Sequence, residues 1–277
     1  MKCVVSGGTG FLGRHVVARL KRGGHDVSAW GRKADYSSLV GCDAVIHLAG
    51  EPVAQRWNGE VKARIRDSRV EGTRALVEAM GRLERQPLVL VSASAIGIYG
   101  DRGDEVLTES SAPGTGFLAD TCVEWEAEAS RASEFGIRVA KLRIGFVLGH
   151  GGALAKMVPA FRAFVGGRLG TGKQWMPWIH VDDVAAMFAH AVENEVRGVW
   201  NATSPNPVRN AEFTRELGAV LRRPALFPVP PFALKIAFGE LAQHMLDSAR
   251  VVPEAALAAG FEFRYAWLAG ALRNLLG

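Results

Sequence analysis

Short apolar runs alternate with helix-length amphipathic segments along the first half of the chain: Cys3 to Val5, Phe11 to Arg22, Val27 to Trp30, Ala44 to Ala49 and Glu60 to Arg82. The runs Ala44-Val45-Ile46-His47-Leu48-Ala49 and Leu88-Val89-Leu90-Val91 lack the polar alternation of a strand with one wet face. They predict parallel strands covered by helices on both sides. A helix over about 118–134 and a strand over 137–142 continue the pattern, and glycine then becomes dense from Gly145 to Gly172. A strand with a helix, Trp178 to Val192, predicts a return to the main sheet, whereas the proline-rich stretch Pro224 to Pro231 interrupts regular structure. The fold class implied is α/β: a doubly wound parallel sheet with a smaller, discontinuous C-terminal domain. No repeat of fixed period is present.

The first strand runs into Ser6-Gly7-Gly8-Thr9-Gly10-Phe11-Leu12-Gly13, and a helix follows at once. Gly8-x-Gly10-x-x-Gly13 and Gly7-x-x-Gly10-x-x-Gly13 both fit a dinucleotide fingerprint in the strand-turn-helix context that gives it meaning. Glycines allow the tight turn and let the backbone approach a pyrophosphate seated on the helix N-terminus, near Phe11 and Leu12. No Gly-Lys-Ser/Thr follows, so an ATP or GTP loop is excluded. The second strand ends Trp30-Gly31-Arg32-Lys33, where an acid would bind the ribose of NAD and an arginine the 2′-phosphate of NADP. Arg32 and Lys33 therefore predict NADP(H) as cofactor, with Asp35 as the competing ribose reader after a longer turn. On this reading residues 1–149 form a Rossmann NADP-binding domain to which 175–200 return, and 150–277 form the substrate domain.

Composition narrows the classes further. With 277 residues, 48% hydrophobic and 22% charged, the chain is globular in composition rather than disordered. No apolar run has the length of a membrane span, so a soluble, cytoplasmic protein with no membrane partner is expected. Cys3, Cys42 and Cys122 are odd in number and far apart, which suggests neither disulfides nor a metal site. A net charge of +5 suits an anionic ligand. In the densest basic stretch, Lys62 to Arg74, the acids Glu60, Asp67 and Glu71 break the field, so no nucleic-acid partner is expected. A small-molecule substrate is the partner implied, and the oligomeric state stays open, a homodimer included.

Several segments together resemble the extended short-chain dehydrogenase/reductase family: the glycine turn, Asp43-Ala44-Val45-Ile46-His47-Leu48-Ala49-Gly50, Gly72-Thr73, Ser92-Ala93-Ser94 leading to Tyr99-Gly100, Leu142-Arg143-Ile144-Gly145 and Ile179-His180-Val181-Asp182-Asp183. More narrowly, Gly50-Glu51-Pro52, Arg56-Trp57, Asp67-Ser68-Arg69, Trp125-Glu126 and Gly172-Lys173-Gln174-Trp175 resemble its atypical, epimerase-like branch. The resemblance implies an oxidoreductase or nucleotide-sugar-epimerase-like enzyme acting on a small carbonyl or hydroxyl compound. In that family a serine, a tyrosine and a lysine four residues after the tyrosine do the acid/base work. Anchored on Trp125-Glu126, this chain has Leu118 and Cys122 at the tyrosine and lysine positions. A catalytically silent NADP(H)-binding sensor or scaffold is therefore the alternative. Candidate catalytic residues are Ser94, Tyr99 and Glu51; Cys122 is read as a buried structural thiol. The cofactor set comprises Gly7, Gly10, Phe11, Leu12, Gly13, Arg32, Lys33, Leu48, Ala49, Gly50 and Arg69, the last standing where the family usually has asparagine. His180 is read as a core histidine, Asp182 and Asp183 as caps of the following helix.

Overall fold

The computed structural model describes residues 1–31, 33–225 and 227–277. Six strands, β1 (Lys2–Ser6), β2 (Asp26–Trp30), β3 (Ala44–His47), β4 (Val89–Ala95), β5 (Arg138–Ile144) and β6 (Gly198–Ala202), form one sheet in the order β2-β1-β3-β4-β5-β6. Every neighbouring pair is parallel, with Cys3 opposite Ala44, Val91 opposite Ala140 and Leu142 opposite Trp200. Alternate residues of the apolar strands face opposite layers. Val5, Ile46 and Val91 pack with Val16 and Leu20 of α1 (Phe11–Arg22) and with the helix Val181–Glu193. Val4, Val45 and Leu90 pack with Leu76 and Val77 of α2 (Gly59–Gly81) and with Ala129 of α3 (Phe117–Ser130). Burial on both faces is why these runs show no polar alternation. The strand order reverses between β1 and β3, and in such sheets ligands bind in the crevice beyond the strand ends at that point.

A second core forms where α4 (Gly152–Arg162) meets α6 (Asn210–Leu221) and α10 (Leu268–Leu276), through residues such as Leu154, Phe161, Phe213 and Leu272. Between α4 and α6 lies α5, the helix Val181–Glu193, which covers the main sheet. The prediction that Asp182 and Asp183 cap this helix is corrected. It starts at Val181, and the His180 imidazole caps it by accepting the Asp182 N–H at 3.1 Å. Asp183 instead accepts the backbone N–H groups of Arg264 and Tyr265 at 3.0 and 2.9 Å, which ties the C-terminal segment to α5. His180 is buried as expected and stacks on Tyr265.

One buried polar contact joins the elements that meet at the reversal. His47, the last residue of β3, lies between Ser6 Oγ of β1 at 2.9 Å and Thr73 Oγ1 of α2 at 3.0 Å. Burial, with a smaller contribution from the Arg69 charge, pushes the imidazole down to about 4, so His47 is neutral in the fold. As pH falls from 6.5 the unfolded chain takes up this proton first. The stability tied to neutral His47 is thus present above pH 6.5 and lost as pH falls toward 4, by about 3 kcal/mol. Urea titrations across that window should show the wild type losing this much more stability than His47→Gln, which cannot titrate; parallel curves would refute the assignment.

Candidate functional site

The glycine turn closes on the backbone of β3. Gly7 has φ +74°, and a Cβ there would stand 2.7 Å from the Ala49 nitrogen and 2.8 Å from the Leu48 carbonyl carbon. A Cβ on Gly13 would stand 2.2 Å from the Gly7 oxygen, so the first turn of α1 can pack here only without a side chain. Gly10 is the N-cap of α1 and supplies no side-chain cap, and the first turn contains no acid. The amides of Phe11, Leu12 and Gly13 are therefore left for a ligand at the positive end of the helix. The Phe11 ring fills the space above Gly149 and Gly151, whose Cβ atoms would come within 2.6 and 2.4 Å of it.

The end of β2 borders the same crevice, since a Cβ on Gly31 would stand 2.7 Å from Thr9 Oγ1. Lys33 is exposed just beyond it, while Arg32 lies outside the described residues. Asp35 is committed elsewhere: its Oδ1 accepts the Ser37 N–H at 3.2 Å and the Ser37 hydroxyl at 2.6 Å, capping the short helix Tyr36–Leu39. On the opposite side Leu48, Ala49 and Gly50 leave β3, and Arg69 reaches them from α2, donating from Nη1 to the Glu51 carbonyl at 3.1 Å and the Ile65 carbonyl at 3.0 Å. The described cofactor residues predicted from sequence thus surround a single crevice.

Of the predicted acid/base residues only Glu51, next to Gly50, adjoins this region. Ser94 is buried at the end of β4 and donates its proton to Glu126 Oε1 at 2.6 Å. Glu126 of α3 also accepts from Arg143 of β5, Nε to Oε1 at 2.7 Å and Nη2 to Oε2 at 3.0 Å. Arg143 Nη1 then donates to the Tyr99 hydroxyl at 2.9 Å, and that hydroxyl has Asn201 Oδ1 and the Thr108 carbonyl as acceptors at 2.7 and 3.0 Å. Tyr99 has no exposed surface. Burial raises its pKa, and the Arg143 charge offsets this only in part, so the phenol stays protonated with its proton held inside the network. Burial alone would weaken Arg143 as a cation, but Glu126 more than reverses this and holds it charged. The arrangement lends Ser94 and Tyr99 no catalytic contact: both belong to a buried network that fastens β4, β5, β6 and α3. Sequence reading missed Glu126, Arg143 and Asn201 as its members. The one available signal was an acid and an arginine within segments otherwise apolar enough to be core.

Glu51, half-buried, accepts from Gln55 Nε2 at 3.0 Å, and its own N–H donates to Ser68 Oγ at 2.9 Å. Cys122 is buried, and desolvation pushes its thiol up to about 12, so no thiolate forms at neutral pH. Beyond Glu51, the loop is fastened to the C-terminal layer: the Trp57 N–H donates to the Phe238 carbonyl at 3.1 Å, and Lys156 Nζ to the Ala54 carbonyl at 2.6 Å. A cleft of about 480 Å³ opens beside Trp57, lined among others by Lys62, Lys235 and His244, and touches no residue of the glycine turn.

Residues 3–202 match the family model described as the NAD dependent epimerase/dehydratase family, and residues 229–275 match a domain of unknown function, DUF1731. The chain belongs to the NAD dependent epimerase/dehydratase family. Within it, the "Epimerase family protein SDR39U1 homolog, chloroplastic" of Arabidopsis thaliana is 41% identical over all of this chain and 87% of its own length. The epimerase family protein YfhF of Bacillus subtilis is 36% identical, covering 100% of this chain and 98% of its own. Among solved structures, human epimerase family protein SDR39U1, crystallised with NADPH, superposes with TM-score 0.92 at 32% identity over 100% of this chain and 99% of that one. A nucleoside-diphosphate sugar epimerase from Corynebacterium glutamicum gives TM-score 0.82 at 35% identity, over 100% of this chain and 58% of that one.

The buried network makes a stability prediction. Glu126→Gln breaks a buried ion pair and should lower unfolding free energy by about 3–5 kcal/mol, and Tyr99→Phe, which removes one hydroxyl, by about 1–2 kcal/mol. Denaturant titration measures both. A Tyr99→Phe protein of undiminished stability would return Tyr99 to the list of catalytic candidates.

Proposed function

We propose that this chain is an NADP(H)-dependent oxidoreductase or epimerase-like enzyme acting on a small carbonyl or hydroxyl compound in a reducing, cytoplasmic setting. The observation that carries the reading is the glycine turn, whose bare backbone closes on the chain leaving β3 at the start of α1, where the strand order reverses. The pyrophosphate rests on the first-turn amides of α1, with Phe11 and Leu12 closing over it. At the end of β2 Arg32 and Lys33 take the 2′-phosphate. Asp35 is engaged as a helix cap at Ser37 and not as a ribose reader. The human relative crystallised with NADPH supports the same cofactor.

The nicotinamide supplies or accepts the hydride, and the chain's residues orient it. Gly145, where a Cβ would stand 2.6 Å from the Pro177 carbonyl, brings bare backbone to the end of β5. Ser94 holds Glu126 instead of a substrate oxygen, so proton exchange falls to the partly exposed Glu51 or to water in the crevice. The burial of Ser94 and Tyr99 favours one second reading, a protein that binds NADP(H) without turnover.

Two measurements test this. Calorimetric titration should give NADPH an affinity at least about tenfold above NADH, with Lys33→Glu narrowing the gap and Gly13→Ala abolishing binding. Equal affinities would remove the 2′-phosphate assignment. Loss of reduced-nicotinamide absorbance across a panel of aldehydes, ketones and nucleotide sugars should then find at least one substrate; tight binding with no turnover anywhere on the panel would favour the sensor.

A further inference from the structure

Cys122 stands at the position of the family lysine, and its thiol carries no charge at neutral pH. A cation nevertheless packs on the same helix. Arg69 comes from α2, and its guanidinium carbon sits 5.3 Å from the centre of the Trp125 ring, one turn along α3 from Cys122. Its contacts with the Trp125 ring, Gly50 and the Glu51 carbonyl place it between α3 and the chain leaving β3. The Ala95 N–H at the end of β4 reaches the Cys122 thiol.

Two features of Arg69 are unusual for a structural cation. It has no ion pair within 4.0 Å among the described residues, although it is partly buried and desolvation lowers its pKa. Buried charges normally carry a paired carboxylate. Its protein hydrogen bonds use Nη1 alone, leaving Nε and Nη2 without an acceptor among the described residues. The second feature is the floor beneath it: a Cβ on Gly50 would stand 3.2 Å from the guanidinium carbon and 3.3 Å from Nη1. The head therefore lies flat over bare backbone at the end of β3, with two donors left for a ligand in the crevice.

We propose that Arg69 is a cofactor-positioning residue of this chain, its free donors binding the hydroxyls of the nicotinamide-side ribose at the end of the crevice away from β2. The idea rests on the dinucleotide reading above. The cation arrives from α2, passes over Gly50 and stacks on Trp125. A guanidinium suits the task because its planar fork can contact the main chain and a ribose at once.

The test compares two ligands on the full chain. NADPH contains the nicotinamide-side ribose, whereas adenosine 2′,5′-bisphosphate keeps the 2′-phosphate end and lacks that ribose. Arg69→Leu should weaken NADPH by about 10- to 100-fold, as loss of charge-assisted hydrogen bonds does, and leave the bisphosphate within about twofold. Gly50→Ala, which displaces the head without removing the charge, should shift NADPH selectively in the same direction, and Arg69→Lys should recover part of the loss. Equal weakening of both ligands, or of neither, overturns the proposal while the dinucleotide reading stands. A wild-type protein that binds neither ligand overturns the dinucleotide reading itself. Thermal unfolding of each variant separates a folding defect from a binding one.

Discussion

Backbone lies directly on backbone where β1 turns into α1, and the site depends on that contact. Gly7 touches the Leu48-Ala49 peptide, and Gly13 touches the Gly7 carbonyl, at distances no side chain permits. The contact holds the ends of β1 and β3 together at the point where the sheet reverses its order. His47 secures it from beneath by reaching Ser6 and Thr73, so β1, β3 and α2 share one neutral imidazole. The crevice above is lined mainly by main-chain groups. The positive end of α1 borders it, and Lys33 lies exposed just beyond β2 while Arg69 lies over Gly50.

On the far side of β4 the polar residues serve a different purpose. Glu126, Arg143, Ser94, Tyr99 and Asn201 satisfy one another inside the protein, where each alone would carry a large desolvation penalty. Their closure fastens three strands to α3. It also explains how the family fold persists with Leu118 and Cys122 at the tyrosine and lysine positions: the helix is held by Glu126 and packed through Trp125, one turn further along.

Much of the architecture was legible because it depends on local pattern. Unbroken apolar runs marked the buried parallel strands, and the predicted helix Phe11 to Arg22 is observed over the same residues. The strand-turn-helix context of Gly7, Gly10 and Gly13 placed the crevice, since tight backbone approach can be read from residue type and spacing alone. The end of β2 read equally well, because a strand terminus is a sequence-local position. Less legible was the helix starting at Val181. Asp182 and Asp183 have the composition of caps, yet His180 makes the cap and Asp183 reaches a loop some eighty positions along the chain.

The sequence by itself determined the sheet, its covering helices and the bare-backbone turn, since each follows from the periodicity or stereochemistry of a few adjacent residues. Only the tertiary structure decided the fate of the polar side chains. Ser94 and Tyr99 have the chemistry of catalytic groups, but hydroxyl reactivity depends on burial and on distant partners: Glu126 lies thirty-two positions from Ser94, and Asn201 more than a hundred from Tyr99. Arg69 shows the converse. The resemblance marks it among the arginines of α2, whose others meet carboxylates, but its place over Gly50 and beside Trp125 exists only once α2, α3 and β3 have packed together.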